Sequence, residues 1–539
     1  MVFVVCAGCG DSASEDGGDG SSEASETGST TSTASTPDPG TTSDTSTGTS
    51  SDEVTAGSST TSSSGDDPPA SEASSSGPDG DALVADVEVE VHDEVNTILV
   101  VTWEQTRASE ETWIEFGFDE DVWLRSPARP GTVGAHREVL LGIPGDTEVT
   151  FRIVNVDAGT EVRSSDHHGV TDEIPSAMPR PTVEHYDPTI ASAHRWMFGA
   201  VEDTESSRGT PLYYEGPHWL YIVDRQGRIV WYYVDLAVNP TSAFPRITPD
   251  GHIYIEKRQF SNSSFAPSVL HMTLDHAYEE EIDVPGLDDC TDVTDDGTLL
   301  YNTFSSSRQG AALMEMAPDG TTREIWSCAE WVLDHGVQGQ NVCYSNTVNW
   351  NRADDTVLMS MPYINTVVEI DRMSGALVGQ YGDAPDSWPL TGPSYDDWTL
   401  EFNHFANVTP EGTLLVSSHE PGHGGASANS GSATETFGTH MFLEFDIDRD
   451  NQQLVERWFY TAENGEWPRY KGMVMRVDDG GGNVLANFGT GGVILEITPD
   501  KEVAFRLVWD GDFTDDRNGK MAGHNILIDD LYALNRVPE

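Results

Sequence analysis

The chain is poor in positive charge. Its 539 residues contain 28 Lys plus Arg against 91 Asp plus Glu, a formal charge of −63, and only four of the basic residues are Lys. Nucleic-acid binding needs clustered cations that neutralise phosphates, so this composition excludes an ordinary DNA- or RNA-binding protein. It also disfavours direct adhesion to anionic lipid head groups.

Long apolar runs and cysteines are scarce as well. No stretch reaches the roughly 18 consecutive apolar residues that indicate a membrane-spanning helix, and there are five Cys. Cys290, Cys328 and Cys343 lie beyond the N-terminal segment and can oxidise in an exported protein. Cys328 and Cys343 close a short loop and are the favoured disulfide, which leaves Cys290 over. None of these three forms a CxxC pair, so we predict no metal site, and we predict no cofactor.

The first 84 residues contain 15 acidic and no basic residues and consist mainly of Ser, Thr and Gly. Such a tract cannot bury enough apolar surface to fold, so we predict a disordered linker over residues 10–82. The apolar run before it, residues 1–9, ends in Ala7-Gly8-Cys9 and resembles the end of a bacterial lipoprotein signal. The resemblance implies a lipid on Cys9, an envelope or extracellular location, and membrane attachment through that lipid alone. A plain secretory signal is the alternative.

Short alternating runs separated by turns begin at Val84. They lie at 87–91, 97–103, 112–118 and 148–154, and this spacing predicts a β-sandwich. Over residues 83–175 the segment resembles a fibronectin type III module. Trp103 corresponds to the strand-B Trp of that module, and Phe151 replaces the Tyr expected at its corner. We interpret the segment as a structural spacer without chemistry of its own.

From about residue 195 onward, a turn followed by an apolar strand recurs. Turns of the Pro-Asp-Gly kind lie at 249–251, 295–297, 353–355, 410–412 and 478–480, and most precede an apolar-Glu-apolar hairpin, as at Glu315, Glu369 and Glu496. Units of about 45–70 residues with two hairpins are typical of β-propeller blades. Strand material at 220–231 and 524–534 could share one further blade and so remove open sheet edges. We therefore predict an all-β protein with a six-bladed β-propeller over 195–539, seven blades being the alternative.

Three stretches of this region resemble the arylsulfotransferase family. They run from Asn346 to Asp371, from Asn403-His404 to the strand 412–416, and over 489–500. The likeness covers residues 195–536. It implies transfer of a sulfuryl group from a phenolic sulfate to a phenol without a nucleotide cofactor. A His nucleophile would carry the group as a sulfohistidine, and further His and Arg side chains would stabilise charge.

The site residues carry over in part. His404 matches the nucleophile and Asn346 matches the family's Asn, but Tyr344 stands in place of a His, Pro362 in place of an Arg and Asp289 in place of a second His. Losing one charge-stabilising donor can cost about 2.7–4 kcal/mol. We therefore favour a propeller that binds a small-molecule or protein ligand in its funnel. Sulfotransferase activity through His404, with Tyr344 and Asn346, is the alternative.

Several other side chains are weaker candidates. The lost cationic groups could be replaced by His335, Arg308, Arg469 or Lys471. Residues 446–450 resemble the start of a calcium loop, but Asn451 occupies the position that needs Gly, so we interpret them as a hairpin tip. The stretch 419–425, with His419 and His423, is interpreted as a solvated loop, with weak metal binding or a position at the funnel mouth as the alternatives.

Overall fold

The computed structural model describes most of the chain from Gly80 onward. The described residues are 80–119, 122–202, 218–235, 245–258, 267–303, 311–337, 339, 341–393, 400–420, 439–462, 472–477, 481–510 and 521–538. The predicted signal, Cys9 and almost all of the predicted linker lie outside them. The last linker residues, Gly80–Ala82, form a short 3-10 turn.

Two small sheets form the N-terminal part. The first contains β1 (Val84–Val91), β2 (Leu99–Gln105) and β5 (Gly134–Leu140); the second contains β3 (Thr112–Asp119), β4 (Val122–Arg125), β6 (Glu148–Asp157), β7 (Thr160–Arg163) and β8 (His167–Val170). Inward side chains of both sheets, such as Trp103, Phe116 and Phe151, join one buried apolar cluster. This is the expected result of period-2 alternation, which places every second side chain on one face.

Six further sheets follow within the described ranges. Five are built on four consecutive antiparallel strands, and the first combines three consecutive strands with a fourth from the C-terminal end of the region. The first sheet contains β10 (Trp196–Glu202), β11 (His218–Asp224) and β12 (Ile229–Asp235); the second contains β13 (Arg246–Ile247), β14 (Ile253–Arg258), β15 (Ser268–Met272) and β16 (Glu279–Asp283); the third contains β17 (Leu287–Val293), β18 (Leu299–Thr303), β19 (Ala312–Met316) and β20 (Thr322–Ser327). The fourth contains β21 (Thr347–Asn351), β22 (Thr356–Met361), β23 (Thr366–Asp371) and β24 (Leu377–Gly382), and the fifth contains β25 (Leu390–Thr391), β26 (Glu401–Val408), β27 (Thr413–His419), β28 (His440–Asp448) and β29 (Gln453–Thr461). The last contains β30 (Gly472–Arg476), β31 (Val484–Phe488), β32 (Val493–Ile497) and β33 (Val503–Trp509), with β9 (Pro181–Tyr186) on its outer edge. The prediction of an all-β protein with propeller-type sheets is confirmed.

The last strand of the chain completes the first of these sheets. Strand β34 (Met521–Ile528) pairs antiparallel with β10, from Trp196 opposite Ile528 to Glu202 opposite Met521. The two ends of this region therefore share one sheet, as the sequence predicted. The pairing satisfies two strand edges that would otherwise remain open to other chains.

Little helix is present in the described residues. Helix α1 (Cys328–His335) begins after Ser327, whose side chain accepts a hydrogen bond from the Glu330 amide, and ends at Gly336 with φ of +64°. Short 3-10 helices lie at Pro362–Ile364, Gly489–Gly491 and Ala533–Asn535. Cys328 forms a disulfide with Cys343, whereas Cys290 is buried elsewhere in the same apolar cluster.

Neighbouring sheets are joined by ion pairs that involve the hairpin glutamates of the repeat. Each Glu lies in the third strand of its sheet and pairs with an Arg of the next sheet; we call these the junction pairs, and they are Glu315 with Arg372, Glu369 with Arg449, Glu444 with Arg476, and Glu496 with Arg225. Glu496 is fully buried and accepts hydrogen bonds from Arg225 at 2.8 Å and from the Asn483 amide at 2.7 Å. A buried carboxylate needs such partners because its desolvation is costly.

Candidate functional site

The strand that carries His404 is distorted just before it. Phe402 has φ of +45°, a conformation that bulky residues rarely adopt. Its amide donates a hydrogen bond to Oδ1 of Asn365 at 2.9 Å, and the pairing of β26 with β27 shifts between Glu401 and Phe405. Bulges of this kind redirect side chains, and strained backbone concentrates at functional sites. The bulge therefore marks this end of β26 as the candidate site.

Two of the predicted site residues meet directly. The side-chain Nδ2 of Asn346 donates to Nδ1 of His404 at 3.0 Å and lies 3.3 Å from the Asn403 carbonyl oxygen. The carbonyl acceptor fixes which end of the Asn346 amide faces His404, because a carbonyl oxygen needs a donor. Asn346 precedes β21, so the contact joins two neighbouring sheets.

Two further histidines pack beside His404. His419 ends β27 and His440 begins β28, and the two are paired across the strands with ring centroids 4.9 Å apart. The His404 and His419 rings are 6.4 Å apart. Only 1% of His419 is exposed, so its assignment to a solvated loop was wrong: strand pairing continues as far as its own residue. His423, the other histidine of that stretch, lies outside the described residues.

His440 is the most buried of these three histidines. It is fully buried, and its Nε2 lies 2.9 Å from Oγ of Ser417. Burial, with the nearby His419 and His404, holds the pKa of His440 well below its ordinary value, which keeps its ring neutral at pH 7. Gly472 packs against it so closely that an added Cβ would lie 2.3 Å from Cε1 of His440. Sequence reasoning did not single out His440, since only the pairing of β27 with β28 brings it to His404.

Tyr344, the third predicted site residue, reaches His404 through other rings. Its ring lies 5.7 Å from that of Tyr363, Tyr363 lies 6.0 Å from Phe402, and Phe402 lies 5.0 Å from His404. Tyr344, Tyr363 and Asn346 are half-buried, whereas Phe402 and His404 are buried. The aromatic groups and the histidines thus form one continuous group of residues, the His404 cluster: Tyr344, Asn346, Tyr363, Phe402, His404, His419 and His440.

A buried arginine in the neighbouring sheets is committed to other partners. Arg246 donates to the carbonyl oxygens of Thr291 and Val348 and to Oδ1 of Asn349, and lies 3.4 Å from Asp292. Burial lowers the pKa of Arg246, and the Asp292 carboxylate opposes that effect. These hydrogen bonds join three sheets. We therefore interpret Arg246 as a buried structural residue.

The remaining sequence candidates are dispersed. His335 stacks on Trp331 in α1 and has its Nδ1 2.9 Å from the Trp331 carbonyl oxygen, and Pro362 is buried in a 3-10 turn. Arg308, Arg469, Lys471 and the side chain of Asp289 lie outside the described residues.

The calcium-like stretch is a hairpin tip. Asp448 accepts hydrogen bonds from Asn451 and from the side chain of Gln453, so its carboxylate stabilises the turn between β28 and β29. Within the part of the chain that the structure describes, no group of three or more His, Cys, Asp or Glu is placed to hold a metal ion. No helix there is long and apolar enough to cross a membrane.

Comparisons with known proteins do not identify a family. No family model and no curated protein matches the chain. Solved structures that match include hydrazine synthase from Kuenenia stuttgartiensis, at 15% identity and a TM-score of 0.33, over 52% of this chain and 71% of that one. Hsv2 from Kluyveromyces lactis matches at 10% identity and a TM-score of 0.31, over 72% and 95%. Regucalcin from Agrobacterium tumefaciens matches at 12% identity and a TM-score of 0.27, over 51% and 79%.

Proposed function

We propose that this protein binds a small neutral ligand at the His404 cluster. The observation that carries the proposal is the character of the cluster: an aromatic ring and an amide contact His404, and burial keeps His440 neutral. Sulfate recognition calls for cationic donors aimed at the anion. A neutral ligand needs none, and it avoids the cost of placing a charge in a buried site.

The protonation of His404 supports the same proposal. Because Nδ1 accepts a hydrogen bond from Asn346, the proton of the neutral ring belongs on Nε2. A protonated Nε2 donates hydrogen bonds and has no lone pair with which to attack sulfur. Nε2 is also buried. Both properties count against a nucleophile at Nε2.

The half-buried members of the cluster define the ligand. Tyr344 and Tyr363 carry aromatic rings and hydroxyl groups, and Asn346 carries an amide. Aromatic faces accept flat apolar surfaces, while hydroxyl and amide groups fix orientation. The ligand class that fits is a neutral ring that carries hydroxyl groups, such as a phenol or a sugar.

Calorimetric titration with phenol and with methyl β-glucoside tests this proposal. We expect one of them to bind, and the Tyr363→Ala variant to bind it at least tenfold more weakly. Tyr233→Ala is the matched control, because Tyr233 is also a half-buried tyrosine with a ring neighbour, its own ring lying 5.5 Å from that of His276. Absence of binding by both probes, or equal losses in the two variants, would contradict the proposal.

Sulfotransferase activity is the second candidate, since His404 and Asn346 are both retained and touch each other. It predicts release of nitrophenol from 4-nitrophenyl sulfate when phenol is added, and loss of that release in His404→Ala. Nitrogen-15 NMR of the imidazole separates the two candidates independently. A protonated Nε2 supports the binding function, and a protonated Nδ1 together with turnover supports the transferase.

We also propose that Cys9 attaches the protein to a membrane through a lipid, on the strength of Ala7-Gly8-Cys9 alone. Expression of the gene in a bacterium, followed by membrane fractionation, tests this. Cys9→Ser should move the protein to the soluble fraction, and Cys6→Ser in the same segment should not. A soluble parent protein, or equal behaviour of the two variants, would contradict lipidation.

A further inference from the structure

A cavity of about 220 Å³ lies between the N-terminal sheets and the first propeller sheet. Its lining residues include Phe118 and Leu124 on the N-terminal side and Trp196 on the propeller side, and none of its lining residues belongs to the His404 cluster. The volume suits a single-ring molecule and is below the usual size of a drug-like ligand site.

The cavity concentrates positive charge in a chain that has little. Arg195, Arg225 and Arg228 all line it. Arg225 is neutralised by Glu496 at 2.8 Å and Arg228 by Asp224 at 2.7 Å. Arg195 is exposed, lies over the Trp196 ring at 5.3 Å, and has no ion pair within the described residues. One guanidinium is therefore available at the cavity wall.

A buried polar atom points to a ligand at the same place. His194 lines the cavity and is 9% exposed, and its Nδ1 is buried without a hydrogen-bond partner in the described part of the chain. A buried polar group without a partner costs about 1–3 kcal/mol, so such groups in native proteins call for an explanation. A ligand oxygen in the cavity would supply that partner.

We propose that this cavity binds a small aromatic carboxylate. Arg195 would hold the carboxylate through charge-assisted hydrogen bonds, which are strongest when the guanidinium fork meets two oxygens. Nε2 of His194 lies 3.6 Å from the Asp529 carboxylate, so His194 protonated on both ring nitrogens would donate a further hydrogen bond from Nδ1 to the ligand. The aromatic ring would pack against Phe118 and Trp196, whose faces and edges favour contact with another ring.

Such a ligand would also contact both parts of the molecule at once. Phe118 belongs to β3 of the N-terminal sheets and Trp196 to β10 of the first propeller sheet. A ligand that binds only the folded arrangement stabilises it by mass action. Binding should therefore raise the thermal unfolding midpoint as well as release heat.

Calorimetric and thermal titration of the full chain with benzoate tests the proposal. We expect benzoate to bind, benzamide to bind at least tenfold more weakly because it has no charge, and inorganic phosphate to bind weakly because it has no ring. Arg195→Gln should reduce benzoate affinity at least tenfold. His194→Phe, which keeps a ring but removes the hydrogen-bond donor, should also reduce benzoate affinity relative to the parent protein.

Arg352→Gln is the matched control, because Arg352 is exposed and lies over Trp350 at 5.6 Å on another sheet. It should leave benzoate binding unchanged. Absence of benzoate binding, equal affinity for benzamide or phosphate, or equal effects of Arg195→Gln and Arg352→Gln would overturn the proposal. Arg195 is exposed, so a folding failure of its variant is not expected.

Discussion

The junction pairs and the His404 cluster bury polar groups in two different ways. At the junctions, each carboxylate meets a guanidinium of the next sheet, and Glu496 has further donors from Asn483 and Ser192. In the His404 cluster, burial instead lowers the pKa of His440 and keeps its ring neutral. Charge thus serves cohesion between sheets, whereas neutrality marks the region that we propose for ligand binding.

We expect the largest loss of stability at the most buried junction pair, Arg225 with Glu496. Arg225→Met would leave the fully buried Glu496 without its cation, which should reduce the free energy of unfolding by about 3–5 kcal/mol. Chemical denaturation followed by tryptophan fluorescence measures this. Arg352→Met is the control, because Arg352 and its partner Asp295 are both exposed and such pairs contribute about 0–1 kcal/mol. Similar losses in the two variants would show that the junction pairs do not hold the sheets together.

The next largest effect is the pH dependence of stability that His440 of the His404 cluster should cause. His440 has a lowered folded pKa, so its contribution is fully present above the unfolded pKa near 6.5 and is lost as pH falls toward the folded pKa. Between pH 7 and pH 5 this group alone should reduce stability by up to about 2 kcal/mol, the limit set by the unfolded pKa, because the unfolded state takes up the proton. His440→Gln should remove that part of the pH dependence.

Denaturation of both proteins at pH 7 and pH 5 measures the difference. His271→Gln is a positive control, since burial and the nearby His252 lower the pKa of His271 to about 4 and the sign is the same. If the parent and His440→Gln lost equal stability on acidification, His440 would not be held neutral and the contrast with the junctions would fail.

We expect the smallest loss of stability from a variant that removes the hydrogen bond to the distorted backbone before His404. Asn365→Gly removes the side-chain acceptor of the Phe402 amide but keeps a backbone that tolerates the φ of +50° at residue 365. We expect a loss of about 1 kcal/mol and faster hydrogen exchange at Phe402. Asn341→Gly is the matched control, because Asn341 has φ of +60° and is remote from β26 in sequence. Unchanged exchange at Phe402 would mean that Asn365 does not hold the bulge.

Local patterns predicted the fold better than they predicted the site. Turn residues followed by apolar strands are short-range signals, and they placed the hairpins that carry Glu369 and Glu496. Their pairing with arginines of the next sheet was not predicted, because an ion pair between sheets has no signature in a single stretch of sequence.

The site shows the same limit. Asn346 and His404 are 58 residues apart, and only the family resemblance joined them before the structure did. His440 and the left-handed backbone of Phe402 had no signal at all, since the first depends on strand pairing and the second places a bulky residue where Gly is expected. His419 shows the converse error, because a glycine-rich stretch that follows it made a buried strand end look like a loop.

The pairing of β34 with β10 has a consequence for biosynthesis. The first propeller sheet receives one of its strands from Met521–Ile528, so it cannot be completed until the ribosome has translated the chain as far as this strand. At typical rates of about 5–20 residues per second, β34 emerges roughly 20–60 s after β10. During that interval the edge of β10 that β34 later covers is open, and an open strand edge can pair with another chain.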